Sequence, residues 1–236
     1  MKLIEIYNVC VPESKRKTDK MIPWVYYVMR PLSILVTKPL LRTSITPVNV
    51  TFASMVATLI GFVLIGFGQD TQTRLWGYLA FIVWGLLDCI DGNIARCKGL
   101  ASARGALWDA TGGYMALTLM FFSVGIGAYN DTNIYEFIEK YLYIVLGGLT
   151  ALMSIFPRLV MQKKKADGGT GSVKTVADKA NYSIPKIIAL NVESAIGITQ
   201  VLLFFAIIFH FLNLFIFCYF FINIVIMVYT LYTLLK

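Results

Sequence analysis

Three aspartates stand in stretches that are otherwise apolar enough to cross a membrane. They lie in Asp88-Cys-Ile-Asp91-Gly92-Asn-Ile-Ala95-Arg96 and in Gly105-Ala-Leu-Trp-Asp109. An ionised carboxylate at the centre of a transmembrane helix costs ~2.5–3.5 kcal/mol even on the gentler insertion scale. Three within one short stretch need a compensating partner, and a divalent cation is the best candidate. On a helix Asp88 and Asp91 share a face, with about 5–6 Å between their Cβ atoms. Gly92 and Ala95 keep that face narrow. Gly105, Asp109, Gly112 and Gly113 recur at intervals of three and four, which makes a second small-residue face bearing one carboxylate. Two such faces can approach closely in a membrane. Their oxygens would then converge on a hard cation, Mg²⁺ or Mn²⁺. A structural ion pair or a proton relay is the competing reading of the trio.

The same residues resemble the signature of the CDP-alcohol phosphotransferases, Asp-x2-Asp-Gly-x2-Ala-Arg-x8-Gly-x3-Asp-x3-Asp. Asp88, Asp91, Gly92, Ala95, Arg96, Gly105 and Asp109 match with every spacing kept, and Gly113 stands where the family has its last Asp. The resemblance implies attack of an acceptor hydroxyl on the β-phosphorus of a CDP-alcohol such as CDP-diacylglycerol, with release of CMP, in phospholipid or related lipid synthesis. It implies Mg²⁺ or Mn²⁺ held by Asp88, Asp91 and Asp109, with Gly92, Ala95, Arg96 and Gly105 around the nucleotide and Asp109 in the catalytic centre. Asn49, in Thr46-Pro47-Val-Asn49-Val-Thr51, falls one place later than the Asn of a similar family segment and is the counterpart expected at the nucleotide. The resemblance also implies a homodimer. The missing last carboxylate, which the family uses as the base, leaves three readings of Gly113. The base lies elsewhere, the chain is an impaired relative that binds CDP-lipid and metal, or Gly113 is a lesion in a standard transferase.

Composition agrees with a membrane setting. Hydrophobic residues make up 58% of the chain and charged ones 14%, with a mean hydropathy of +0.71. That profile predicts an all-α polytopic membrane protein of about six transmembrane helices, each of roughly 20 residues. Apolar runs fall at about 49–67, 74–91, 104–128, 138–160, 186–209 and 211–235. Residues 1–46 form a basic arm, too charged for a signal peptide, and residues 47–236 the transmembrane domain. Within the arm, Lys15 to Lys20 is a basic cluster. Met21 to Leu41 mixes Trp24, Tyr26, Tyr27 and several leucines with Arg30 and Lys38, the pattern of an amphipathic helix in the membrane interface. Thr46 is the expected cap of the first span and Pro47 its first residue.

All Lys and Arg except Arg74 and Lys140 lie in the arm, the 96–104 turn, the 158–186 loop or at Lys236. The positive-inside rule therefore puts those segments, both termini and the aspartate motif on the cytoplasmic side of a cell membrane. The net charge of +8 follows from that asymmetry, and no nucleic-acid motif accompanies it. The four cysteines have no metal-site spacing and read as reduced thiols. The glycines after Lys163-Lys-Lys165 lack the spacing of a phosphate-binding loop and suit a lipid-facing loop. Asn130-Asp-Thr132 fits a glycosylation triplet, and His210 sits at a corner far from the motif. A small transporter would need broken spans or an inverted repeat, and neither is visible in the sequence.

On the acceptor side, Arg104, Arg158 after Pro157, and Lys186 are candidates for holding substrate phosphate. Glu193 is the remaining intramembrane acid, with Gln200 seven residues on, and is the candidate replacement base for the position occupied by Gly113.

Overall fold

The computed structural model describes residues 3–131, 138–166 and 184–236. Over them the protein is an all-α polytopic membrane protein, with no strand among the described residues. Helices α4 (Pro47–Phe67), α5 (Thr71–Cys97), α6 (Ala103–Tyr129), α7 (Lys140–Ala166) and α10 (Leu212–Leu235) are each long and apolar enough to cross a bilayer. The starts of α4, α5 and α6 are written in the sequence. Thr46 accepts a hydrogen bond from the Asn49 N–H at 3.3 Å, and Pro47 opens α4 as expected. Asp70 accepts from the Thr73 N–H at 2.8 Å to start α5. Ser102 accepts from the Gly105 N–H at 3.0 Å to start α6. Each cap satisfies a backbone donor that a helix N-terminus leaves open.

The run at 186–209 departs from expectation. Instead of one continuous span it forms two helices, α8 (Ile184–Glu193) and α9 (Ile198–Ile208), bent by 46°. Gly197 sits at the break, where an added Cβ would lie 2.7 Å from the Asn191 carbonyl oxygen. Side chains repair the interrupted ladder: the Thr199 hydroxyl donates to the Val192 carbonyl at 2.8 Å, and the Gln200 amide donates to the Ala195 carbonyl at 2.8 Å. Non-helical backbone at membrane depth persists only when it is satisfied in this way inside protein. The run is therefore a broken span or a re-entrant loop rather than the continuous span expected from the sequence.

Packing also differs from the two-faces picture. Helix α4 packs extensively on both α5 and α6, while those two touch each other little. Gly112 of α6 lies against Thr51 and Met55 of α4 rather than against α5. The closest small-residue crossing is between α6 and α7. A Cβ on Gly125 would meet the Tyr143 carbonyl oxygen at 2.6 Å and the Gly147 Cα at 2.8 Å, so only glycine permits this approach. Helix α4 thus packs on both α5 and α6, which carry the aspartates.

The arm has more structure than its charge suggested. Helices α1 (Leu3–Cys10) and α2 (Glu13–Lys20) precede a π-helical turn, Val25–Met29, that runs into α3 (Arg30–Leu40). The amphipathic stretch is turned with its polar side to the protein. Arg30, Ser33 and Thr37 are buried, whereas Tyr27, Leu32 and Leu35 are exposed where lipid would lie. Arg30 grips Asp19 through two hydrogen bonds, at 2.7 and 3.2 Å, which ties α2 to α3. At the base of the arm, the Lys98 ammonium donates to the Thr43 and Ile45 carbonyls at 2.6 and 2.8 Å.

Candidate active site

Asp88 on α5 and Asp109 on α6 line one cavity of about 800 Å³. Its other walls come from Gly113 and Tyr114 of α6, Pro157 and Arg158 of α7, Glu193 of α8 with the break that follows, and Tyr229 and Thr233 of α10. Asp91, a turn beyond Asp88, is buried and accepts a 2.6 Å hydrogen bond from the Thr51 hydroxyl of α4. The three carboxylates lie within electrostatic range of one another: Asp88 feels both Asp91 and Asp109, and Asp91 feels Asp109. In this arrangement no three His, Cys, Asp or Glu side chains among the described residues are gathered tightly enough to hold an ion. The donor set nonetheless fits a hard divalent cation, since it is all carboxylate oxygen. Like charges held this close repel unless something positive lies between them.

The positive groups come from an unexpected place. Lys15 of α2 acts electrostatically on Asp88, Asp91 and Asp109 together, Arg30 acts on Asp88, and Arg96 acts on Asp109. Burial, followed by the neighbouring Arg30 and Arg96 guanidinium groups, holds the Lys15 ammonium below the usual lysine range. Ile22, just after α2, lines the cavity itself. The arm is therefore a roof over the aspartates. Neither Lys15 nor Arg30 stood out in the sequence, because a basic cluster beside a bilayer reads as an anchor to lipid headgroups.

Arg96 folds back along its own helix. Its guanidinium nitrogens lie 3.2 Å from where a Gly92 Cβ would be, so in this structure Gly92 makes room for the arginine. One Arg96 nitrogen donates to the Asn93 side-chain oxygen at 3.1 Å. The Asn93 amide in turn donates to Ser33 and Thr37 of α3, both at 3.2 Å. Arg96 Nε and Arg30 Nη1 are buried without a hydrogen-bond partner. Unpaired buried donors on cations are costly, and both belong to the groups that surround the carboxylates.

The acceptor candidates separate clearly. Arg158 and Glu193 reach the cavity and pair with each other at 2.9 Å. Arg104 and Asn49 are exposed and neither lines the cavity. Gly105 serves the Ser102 cap. Ala95 is half-buried on α5. The Lys186 side chain, the 167–171 glycine segment and Thr132 of the glycosylation triplet lie outside what is described. A Cβ at Gly113 would meet nothing within 4 Å, so the place of the family's last carboxylate is open space inside the cavity. Thr51 was missed because a Thr hydroxyl within a helix can donate to its own i−4 carbonyl, here Pro47 at 3.1 Å, so nothing in the sequence announced its reach to Asp91.

A family model for CDP-alcohol phosphatidyltransferases matches residues 44–234. The chain belongs to that family. A CDP-alcohol phosphatidyltransferase transfers a phosphatidyl-type group from a CDP-alcohol in lipid synthesis, and the family is generally dependent on divalent metal. The match covers α4 through α10 and leaves nearly all of the arm outside it. The aspartate motif thus lies within the matched bundle, and Lys15 and Arg30 lie before it. No curated protein matches the chain.

Proposed function

We propose that this protein is an active transferase that moves a substituted phosphate from a CDP-alcohol to an acceptor hydroxyl and releases CMP. The observation that carries the reading is the placement of Asp88 and Asp109 across one cavity, with Asp91 fixed beside them by Thr51. Asp88, Asp91 and Asp109 would hold Mg²⁺ or Mn²⁺, which supplies charge neutralisation of the diphosphate when bound. Arg96, Lys15 and Arg30 bring positive charge to the same phosphates, and the unpaired nitrogens of Arg96 and Arg30 are donors ready for them. Tight positioning in such a site does most of the work of phosphoryl-type transfer.

Glu193 takes the acceptor proton in this reading. Its carboxylate lines the same cavity as Gly113 and Asp109, and its Arg158 partner orients it and can turn to an acceptor phosphate. The open space at Gly113 then receives the acceptor instead of a carboxylate. The motif end of the bundle faces the cytoplasm, where nucleotide-linked substrates are found, and the protein works as a homodimer in the bilayer.

Purified protein incubated with a panel of CDP-alcohols, acceptor alcohols and Mg²⁺ or Mn²⁺ is expected to release CMP from at least one pair. Glu193→Gln should abolish most of that release while leaving metal-dependent binding of CDP intact. Binding of CDP-lipid and metal with no CMP release from any pair would replace the transferase reading with that of a binding relative.

A further inference from the structure

Two cysteines that the proposed chemistry does not use meet beside the motif. Cys10 ends α1 and is fully buried, while Cys97 ends α5, directly after Arg96. Their sulfur atoms lie 2.8 Å apart although the residues are 87 positions apart in the chain. A disulfide needs ~2.05 Å between sulfurs, so a small side-chain movement closes the gap. Both are free thiols here. Around them, Cys10 also contacts the Asn93 carbonyl at 3.7 Å, and Ile6, Val11 and Ile34 pack the pair on the arm side. Cys89 and Cys218, the other two cysteines, have no such partner.

We propose that Cys10 and Cys97 form a reversible disulfide that staples the N-terminal arm to the motif helix. The two thiols are unequal. Burial, followed by the hydrogen bond with Cys97, pushes the Cys10 thiol up to about 12, so it rests protonated, whereas Cys97 is half-buried and reachable. With a hydroperoxide as oxidant, the Cys97 thiolate attacks one peroxide oxygen, the O–O bond breaks, and a sulfenic acid and an alcohol or water result. The Cys10 sulfur then attacks the sulfenic sulfur, the S–S bond forms, and water leaves with the Cys10 proton. Two thiols are oxidised and one hydroperoxide is reduced. On a cytoplasmic face such a bond is transient, since thiol reductants reverse it.

The arm that would be stapled carries Lys15 and Arg30. In the reduced protein α1 is held to α5 by packing and weak sulfur contacts, and the roof can lift to admit a CDP-alcohol. In the oxidised protein it cannot. The cross-link itself stands independently of the transferase reading, while its effect on turnover rests on that reading.

The test treats the full chain in detergent micelles with hydrogen peroxide, blocks remaining thiols, and maps peptides without reductant. The expected result is a Cys10–Cys97 linked peptide in most molecules, removed by dithiothreitol, with Cys89 unmodified. Closing so long a loop raises the midpoint of thermal unfolding by several degrees, and Cys97→Ser and Cys10→Ser each abolish that shift. Oxidation confined to the exposed Cys218, or a Cys97 sulfenic acid that persists unlinked in the folded wild type, would overturn the cross-link. CMP release should fall several-fold on oxidation and recover with dithiothreitol. Unchanged release from a fully linked sample would overturn the regulatory role and leave the transferase reading standing.

Discussion

The two ends of the bundle use charge in opposite ways. At the end away from the motif, Arg74 is buried and fully engaged. It donates to Asp131 at 2.9 Å, to the Gly127 carbonyl at 3.2 Å and to the Gly68 carbonyl at 3.0 Å. His210 leans on Asp131 at 3.6 Å and meets Thr71 at 3.2 Å, and the Asn130 amide donates to the Gly66 carbonyl at 2.8 Å. At the motif end, Asp88, Asp109, Glu193 and Arg158 line the cavity, Lys15, Arg30 and Arg96 act on the aspartates from outside it, and Arg30 and Arg96 each keep a buried donor without a partner. One end is a clamp whose charges satisfy each other. The other is held out of balance, and that difference is what a substrate site requires: binding can only be strong where the protein has left interactions unmade.

The contrast can be broken experimentally. The largest effect is expected at the motif end on turnover alone. Glu193→Gln should lower CMP release by ~10²–10⁴-fold, the usual worth of a general base, with thermal unfolding close to that of wild type. Gly113→Asp belongs beside it, since the cavity has room for the new side chain. It should fold, and it should lower release by filling acceptor space. A large increase would instead show that a base was missing. At the clamp the signs reverse. Arg74→Ala takes the 2.9 Å cation partner from buried Asp131 and leaves it only His210 at 3.6 Å, so it should cost up to about 3–5 kcal/mol of stability, with metal-dependent binding retained in the molecules that remain folded. Thr51→Val sharpens the comparison, because it removes the hydroxyl that orients Asp91. Metal affinity should fall ~10–100-fold, as when other residues that orient metal ligands are removed, with little loss of fold. The smallest effect is at the helix cap. Thr46→Ala should cost about 1 kcal/mol, measured by chemical denaturation, without touching metal binding.

Much of this was legible in the residues. The apolar runs marked the spans because lipid demands long helices, and Thr46-Pro47 marked the start of α4 because a cap and a proline each have one favourable place there. The aspartate spacing identified the family and the cavity walls at Asp88 and Asp109. What stayed hidden was long-range. The break at Ser194–Gly197 is encoded only by a glycine and by two side chains that repair distant carbonyls, and hydropathy cannot register it. The inward turn of Arg30, Ser33 and Thr37 could not be read either, since an amphipathic helix has the same pattern whichever face meets protein. Lys15 was invisible for a related reason: its importance lies in what α2 is folded over, and the buried Asp19–Arg30 pair that folds it there joins residues whose partnership the sequence does not announce.

The central claim is that Asp88, Asp91 and Asp109 act as one divalent-metal site for a CDP-linked substrate. Thermal unfolding of purified wild type and Asp91→Ala, followed while Mg²⁺ or Mn²⁺ is titrated in the presence of CDP-diacylglycerol, tests it most directly. A ligand at 100 times its Kd stabilises the folded state by about 2.7 kcal/mol. Wild type should therefore show a clear metal-dependent rise in its unfolding midpoint, and Asp91→Ala should show none although it folds. An equal rise in both proteins would contradict the assignment, because the stabilising metal would then bind somewhere other than the aspartate motif.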